Sequence, residues 1–326
     1  MPEVLMWHWI AFGVLVVVLL TLDLLVFHRH DHTPTLRESA WWSVFWIGVG
    51  LAFNALIWWW GVAEGKGSEA GIKFLSGYLV EKMLSMDNIF VFVVIFRYFG
   101  VPTMYQYRVL FWGILGAVFM RLAFILAGIE LIHRFHWVTP LFGAFLLYTA
   151  YKLTRHSSVD VHPDKNIFLR IARRLFRVAK GDHREHGHSF FVRENGHRCV
   201  TPMFLVLLVI ESTDVVFAVD SVPAIIAITD DRFLAFTSNI FAILGLRALY
   251  FLLAGAVDLF RYLHYGLAAV LGFVGLKMMG VWWTKYRGIE GFDFPPWISL
   301  IVITALLTVS IVASIVAARR EERNGG

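Results

Sequence analysis

The segment from Pro202 to Ile228 constrains this chain more than any other part of it. It is long and apolar enough to be a membrane-spanning helix, because about 20 apolar residues cross the hydrocarbon core. Yet it contains three carboxylates, Glu211, Asp214 and Asp220. Each carboxylate costs about 2.5–3.5 kcal/mol at the centre of an inserted helix. Acidic side chains that are this costly predict a cation site or a proton path inside a helical bundle.

The composition of the whole chain agrees with a membrane location. Hydrophobic residues make up 58% of it, and its mean hydropathy is +0.67. The net charge of +5 does not indicate a nucleic-acid partner, because the basic residues cluster in short connections, where they set the orientation of a membrane protein. We therefore predict an all-α polytopic transmembrane helical bundle that forms a single membrane domain over residues 1–326.

Apolar stretches of sufficient length predict about nine spans. They cover approximately residues 7–27, 41–61, 72–96, 107–130, 137–153, 202–228, 236–256, 264–283 and 297–318. The arginine-rich segment 154–199 belongs on the cytoplasmic side by the positive-inside rule. An odd number of spans then puts the N-terminus outside and the C-terminus inside.

The cytoplasmic segment 154–199 contains apolar residues at helical spacing between Ile167 and Val178, with arginines between them. This pattern predicts an amphipathic helix on the inner leaflet, although an ordinary connecting helix would show the same pattern. Histidines in the cytoplasmic segments could capture a transition metal or could simply be solvated. They are His28, His30, His32, His156, His162, His183, His186, His188 and His197.

Internal similarity divides much of the chain into two units. Residues 72–153 (spans 3–5) form repeat 1 and residues 202–283 (spans 6–8) form repeat 2. Since each unit has an odd number of spans, the two copies must be inverted, an arrangement that transporters use to place a site between the copies. Three pairs of segments match in the same order: 85–92 with 212–219, 121–128 with 247–255, and 143–153 with 268–278.

The two repeats supply the candidate metal ligands. They are Glu81, Asp87, Asn88, Glu211, Asp214, Asp220 and Ser221. We expect Pro223 to kink the sixth span at Asp220 and to free main-chain oxygens there, because proline cannot donate a backbone hydrogen bond. Glu81 and Asp87 would reach one site only if the third span also unwinds. Such oxygen ligands favour magnesium, calcium and manganese over zinc and copper.

Two alternatives stay open at this point. The acids could form a buried ion-pair network that only locks the bundle, since basic residues also lie within the spans. These charge-pairing residues are Lys82, Arg121, Lys152, Arg247 and Lys277. Asp23 in the first span could join or cap this network. Met83 and Met86 could favour manganese through a thioether, or they could only pack against neighbours.

The two acidic motifs, residues 81–90 and 211–223, resemble the signature motifs of the TerC family of integral membrane proteins. The resemblance extends over about residues 20–285, and the length and the basic cytoplasmic segment are similar to the Alx-like branch. It implies manganese export across the bacterial inner membrane, with Mn2+ as the transported ion and no permanently bound cofactor. It also implies that the seven candidate ligands are the family's functional positions, and it associates some members with tellurite resistance.

The leading hypothesis is a divalent-cation exporter without enzymatic activity, whose partners are the lipid bilayer and the metal ion. A counter-flow of protons through the same carboxylates and the oligomeric state are left open. The alternative is a membrane scaffold that recruits stress-response partners through residues 154–199. A third hypothesis, an intramembrane enzyme, rests only on the paired aspartates, because no protease motif surrounds them.

Overall fold

The computed structural model describes residues 4–27, 35–62, 67–155, 167–179, 187, 189–194, 196–254, 263–287 and 294–324. These residues form eleven helices and one two-stranded antiparallel hairpin. In chain order the elements are α1 Met6–Phe27, α2 Leu36–Val62, α3 Gly67–Tyr98, α4 Thr103–Arg134, α5 Val138–Arg155, α6 Ile167–Leu175, β1 Phe191–Glu194, β2 His197–Val200, α7 Pro202–Ile226, α8 Arg232–Ile243, α9 Leu246–Ala254, α10 Leu263–Tyr286 and α11 Pro296–Asn324.

The architecture confirms an all-α polytopic membrane protein. Six described helices, α1, α2, α4, α7, α10 and α11, are long and apolar enough to cross a membrane, and α8 with α9 forms a bent seventh candidate. Helices α3 and α5 lie where spans were predicted, but α3 carries several charges along its length and α5 is less apolar, with Lys152 and Arg155 in its last turn. The total of nine spans and the repeat relation stay predictions.

Charged side chains lie inside this bundle and apolar side chains lie on its surface. Arg121 and Glu81 are at most 1% exposed, whereas Val17 of α1 and Val309 of α11 are 63% and 68% exposed. A water-soluble protein also buries charges when they are paired, as Arg121 and Glu81 are, but it rarely exposes large contiguous apolar surfaces. The distribution seen here is the one that a hydrocarbon solvent requires.

The helices of the two predicted repeats interlock. Helix α4 packs along α7, α3 packs along α8, and α5 makes an extensive contact with α10. The last pair approaches closely because glycines face each other, and a Cβ added to Gly143 would lie 3.1 Å from the carbonyl oxygen of Gly275. This packing is what a pseudo-twofold relation between the units would produce, and it places α3, α4 and α7 together at the centre.

The span predicted over residues 236–256 contains a break, so it is a bent pair of helices rather than one continuous helix. The helix ends at Ile243, Gly245 adopts a φ of +79°, and a second helix begins at Leu246 with a bend of 40°. A positive φ is accessible to glycine at little cost. The apolar composition continues through the break, and it therefore hid the break in the sequence. Residues 255 and 256 of the predicted span lie outside the described residues.

The kink expected at Asp220 does not interrupt the helix. Helix α7 runs without interruption from Pro202 to Ile226 and includes Pro223. Pro223 lies in the last turn, so it removes only one backbone hydrogen bond, and its own carbonyl oxygen accepts from the amide of Ala227. Helix α3 is continuous as well. The chain does not unwind beside Asp220, so the main-chain acceptor that Pro223 frees there is the carbonyl oxygen of Val219, four residues before the proline.

The segment between the repeats contains a helix where one was predicted, although it ends at Leu175 rather than at Val178. Leu169 and Ala172 are buried, and α6 packs against α7. The hairpin follows and leads directly into α7. Of the histidines singled out in the sequence, His197 is exposed on β2, and the other eight lie outside the described residues.

Candidate functional site

Arg121 of α4 is the centre of the buried polar network. Its side chain is fully buried, and its guanidinium forms an ion pair with Glu81 of α3. The same group donates to Asp214 Oδ1 over 3.3 Å and to Ser221 Oγ over 3.2 Å, both on α7. One arginine thus joins three helices and both predicted repeats. A planar guanidinium suits this role because it presents five donors in a fixed geometry.

Glu211 lies one turn before Asp214 on α7, and the charges of the two carboxylates interact. The Glu211 carboxylate rests directly on the backbone of α4 at Gly116, where any Cβ would collide with it. Its side chain is only half-buried, in contrast to Glu81. The sequence did not single out Gly116, because a glycine inside an apolar helix has many possible causes.

Asp87 and Asp220 form a second acidic pair, separate from the Arg121 network. Both are half-buried, and the negative charge of Asp220 acts on Asp87. Thr149 of α5 donates to Asp220 Oδ1 over 3.0 Å, and the exposed Lys152 of α5 also acts electrostatically on Asp220. Thr149 was missed because a threonine 71 residues away carries no local signal.

The six-residue spacing of Glu81 and Asp87 explains this division. Along a continuous helix a spacing of six residues turns the side-chain direction by about 240°, so the two side chains point about 120° apart. Glu81 therefore contacts Arg121, whereas Asp87 interacts electrostatically with Asp220. Asn88 is buried, at 3% exposure, next to Asp87 in the sequence. The predicted ligands thus divide between two polar clusters, and they do not meet at a single point.

The other predicted charge-pairing residues have different partners. Lys82 donates to the main-chain oxygen of Ala242 over 3.0 Å, at the end of α8. Lys277 donates to the main-chain oxygen of Ala227 over 3.4 Å, just after α7. Both lysines therefore satisfy carbonyl groups that helix ends leave without an intrahelical partner. They stabilise the helix ends on which the site is built.

Arg247 has Asp23 of the first helix as its acidic partner. It forms an ion pair of 2.7 Å with Asp23 of α1, and it also donates to the main-chain oxygen of Asp23 over 3.0 Å. Its guanidinium carbon lies 5.2 Å from the ring centre of Tyr107. Asp23 therefore belongs to an anchor between α1 and α9.

The clusters do not amount to a closed metal-binding cage. No group of three or more His, Cys, Asp or Glu side chains within the described ranges is arranged to hold a metal ion. Asp214 Oδ2 is buried and makes no hydrogen bond to the described residues. The arrangement offers a carboxylate pair, Asp87 with Asp220, whose like charges would be balanced by a cation or a proton.

The comparison with known proteins decides the family. A family described as integral membrane protein TerC family matches residues 66–322, which include both acidic motifs. The chain belongs to the TerC family. Its resemblance to the Alx-like branch is confirmed as well, because relatives named Alx match nearly the whole chain.

Three relatives illustrate the similarity of this TerC-family chain. An uncharacterised membrane protein of Myxococcus xanthus is 46% identical over 95% of this chain and 92% of its own length. A protein of Salmonella typhi is 43% identical over 93% of this chain and 92% of its own length. A protein of Escherichia coli K12 is 42% identical over 98% of this chain and 97% of its own length. Both are provisionally described as the membrane-bound redox modulator Alx. No solved structure matches the chain.

Proposed function

We propose that this TerC-family chain exports divalent metal cations across the bacterial inner membrane, with Mn2+ as its main cargo. The observation that carries the proposal is the electrostatic interaction of Asp87 on α3 with Asp220 on α7, which belong to different predicted repeats. Within the described residues, no arginine hydrogen-bonds to either carboxylate. A divalent ion between them would balance two charges that are costly in a membrane.

The type of ligand supports the choice of ion. Asp87, Asp220 and the neighbouring Thr149 provide oxygen atoms, which suit manganese, magnesium and calcium better than soft metals. The two acids of the Arg121 network, Glu81 and Asp214, share the positive charge of one arginine, which balances one of their two negative charges. We therefore assign ion binding to the Asp87–Asp220 pair, with Glu211 as a further carboxylate along the path, and assign the Arg121 network to holding the repeats together.

Transport requires that the ion be released on the other side. Because Asp87 and Asp220 belong to different repeats, a movement of one repeat against the other would separate the two carboxylates and lower their affinity for the ion. Alternating access in transporters with inverted repeats takes this form. A proton could occupy the emptied carboxylate pair during the return step, which would couple export to proton entry.

The proposal is tested by Mn2+ uptake into inside-out membrane vesicles. We expect uptake by vesicles that contain the wild-type chain and little or none with Asp220→Asn, which keeps the shape of the side chain but removes its charge. Asp230→Asn is the matched control, because Asp230 is exposed just beyond α7. Equal uptake by all three would refute the assignment, provided that membrane levels of the variants agree.

A second candidate is a membrane scaffold, favoured by the fact that α6 and the hairpin form a small folded unit beside the helical bundle. The chain's only cysteine, Cys199, is buried in this hairpin and cannot form a disulfide within the chain. A scaffold would not need the Asp220 charge. Tolerance of manganese that survives Asp220→Asn in cells would therefore favour the scaffold over the exporter.

A further inference from the structure

The helix α6 and the hairpin form one unit fixed to the first turn of α7. The ring of Phe204 on α7 lies 6.0 Å from the ring of Phe176 and 5.1 Å from that of Phe191. The amide of Val200 donates to the carbonyl oxygen of Arg177 over 2.9 Å. We call the described residues 167–179, 189–194 and 196–200 the α6–hairpin unit. Its position is thus set at the end of a membrane-spanning candidate helix.

Helix α6 has three distinct faces when its residues are placed at 100° intervals. Leu169 and Ala172 form the buried face that packs on α7. A second face is apolar but exposed. It consists of Ile167, Phe168, Ile171 and Leu175, which are 65%, 50%, 47% and 73% exposed. The third face carries Arg170, Arg173 and Arg174. An exposed apolar face beside an arginine face is typical of a helix that lies in a membrane interface.

An open cavity of about 710 Å3 lies between the arginine face and the hairpin. Its lining is basic, with one carboxylate: Arg173, Arg174, Leu175, Phe176, Arg177, Val178, Glu194, His197 and Cys199. The unit as a whole contains six arginines, Arg170, Arg173, Arg174, Arg177, Arg193 and Arg198, against the single carboxylate of Glu194. Such an excess of positive charge in a concave surface favours an anionic ligand.

We propose that this cavity binds the headgroup of an anionic phospholipid from the adjoining leaflet. Arg173 and Arg177 would contact the phosphate, because guanidinium groups match phosphate oxygens in pairs. The exposed apolar face of α6 would contact the acyl chains of the same leaflet. The match of a basic cavity with an apolar rim selects a phospholipid over a soluble anion. This site is independent of the carboxylates that carry the proposed transport.

The site also has a position from which a lipid could affect the bundle. The α6–hairpin unit leads directly into α7, and α7 carries Asp214 and Asp220. Arg108 of α4 adds a second link, because its guanidinium carbon lies 5.5 Å from the ring centre of Phe190. A bound headgroup would therefore restrain the first turn of α7 against α4.

The test uses the purified full-length chain in detergent, to which phosphatidylglycerol, phosphatidylcholine or inorganic phosphate is added. Bound lipid is counted by native mass spectrometry, and the apparent Kd is obtained by titration at about 0.15 M salt. The pocket variant is Arg173→Gln with Arg177→Gln. The matched control is Arg193→Gln with Arg198→Gln, a cross-strand pair of exposed arginines outside the cavity lining, whose removal takes away the same charge.

We expect phosphatidylglycerol to bind the wild-type chain more tightly than phosphatidylcholine does. Removal of each cavity arginine should weaken phosphatidylglycerol binding roughly fivefold, whereas the control pair should bind nearly as the wild type does. Equal loss in the control variant would overturn the site in favour of diffuse surface charge. Equal binding of phosphatidylglycerol and phosphatidylcholine would also overturn the site. So would displacement of phosphatidylglycerol by inorganic phosphate at a concentration similar to that of the lipid. If the pocket variant fails to fold, the proposal is tested by whether the wild-type chain binds phosphatidylglycerol more tightly than phosphatidylcholine.

Discussion

The guanidinium of Arg121 lies 3.3 Å from Asp214 on the neighbouring helix α7, and the same group is paired with Glu81 on α3. Each of these three residues lies on a helix that is central to the bundle, and all three are nearly or fully buried. A charge that is buried with its partners is tolerated, but a charge that loses its partner is not. The ion pair therefore makes the packing of α3, α4 and α7 mutually dependent.

Replacement of Arg121 should be strongly destabilising. Arg121→Gln would leave Glu81 and Asp214 buried without a counter-charge, and we expect a loss of about 3–5 kcal/mol in the free energy of unfolding. The measurement is the thermal or denaturant-induced unfolding of the purified protein in detergent. Arg232→Gln is the control, because the ion pair of Arg232 with Glu130 is about half exposed and should be worth at most about 1 kcal/mol.

Gly116 should be required for the position of Glu211. Gly116→Ala would place a methyl group on the Glu211 carboxylate, so that either the side chain moves or α4 and α7 separate. We expect a reduced rate of Mn2+ transport at normal membrane abundance if the side chain moves, and a lowered abundance if the helices separate. Gly272→Ala is the control, since its added methyl would meet only Ala150 at an ordinary 3.8 Å. Wild-type behaviour of both variants would contradict the contact.

Thr149 should tune the affinity of Asp220 for the ion. Thr149→Val keeps the size of the side chain but removes the hydroxyl that donates to Asp220. A hydrogen bond to a charged group contributes about 1.5–3 kcal/mol, so we expect the Mn2+ concentration at half-maximal transport to change by about tenfold or more. Thr149→Ser should behave as the wild type does. An unchanged half-maximal concentration in the valine variant would separate Thr149 from the transport site.

The break between α8 and α9 should depend on glycine at position 245. Gly245→Ala combines a positive φ with a collision against the side chain of Trp46. Gly100→Ala has a similar φ of +62° but open space around the added methyl, so it isolates the conformational cost. We expect the Gly100 variant to lose about 1 kcal/mol and the Gly245 variant clearly more. If both variants lost the same free energy of unfolding, the Trp46 side chain would have moved away from the added methyl group without an energetic cost.

Much of the fold could be predicted from the sequence, because apolar length is a direct physical requirement for crossing a bilayer. A described helix lies at each of the nine predicted spans, and the family resemblance is confirmed. The break at Gly245 was missed because glycine is common in apolar helices. Unwinding was expected beside Pro223, but this proline lies in the last turn, where the helix continues through it. The separation of Glu81 from Asp87 followed from helix geometry once α3 was known to be continuous.

The partners across helices were harder to predict. Thr149 and Asp220 are 71 residues apart, and Gly116 and Glu211 are 95 apart, so neither contact leaves a local pattern in the sequence. Lys82 and Lys277 appeared to be partners for acids because they lie within spans. In the structure both lysines donate to main-chain carbonyl groups at helix ends, which would otherwise lack a hydrogen-bond donor.

The most direct measurement is Mn2+ flux into liposomes that contain only the purified chain, followed with a metal-sensitive dye inside. The wild-type chain should carry Mn2+ down its gradient, whereas Asp87→Asn and Asp220→Asn should each abolish most of the flux and Asp230→Asn should not. Such a result would establish both the activity and the carboxylate pair that serves it. The proposed transport site would be contradicted if the correctly folded wild-type chain carried no Mn2+, or if Asp87→Asn and Asp220→Asn both carried it at the full rate.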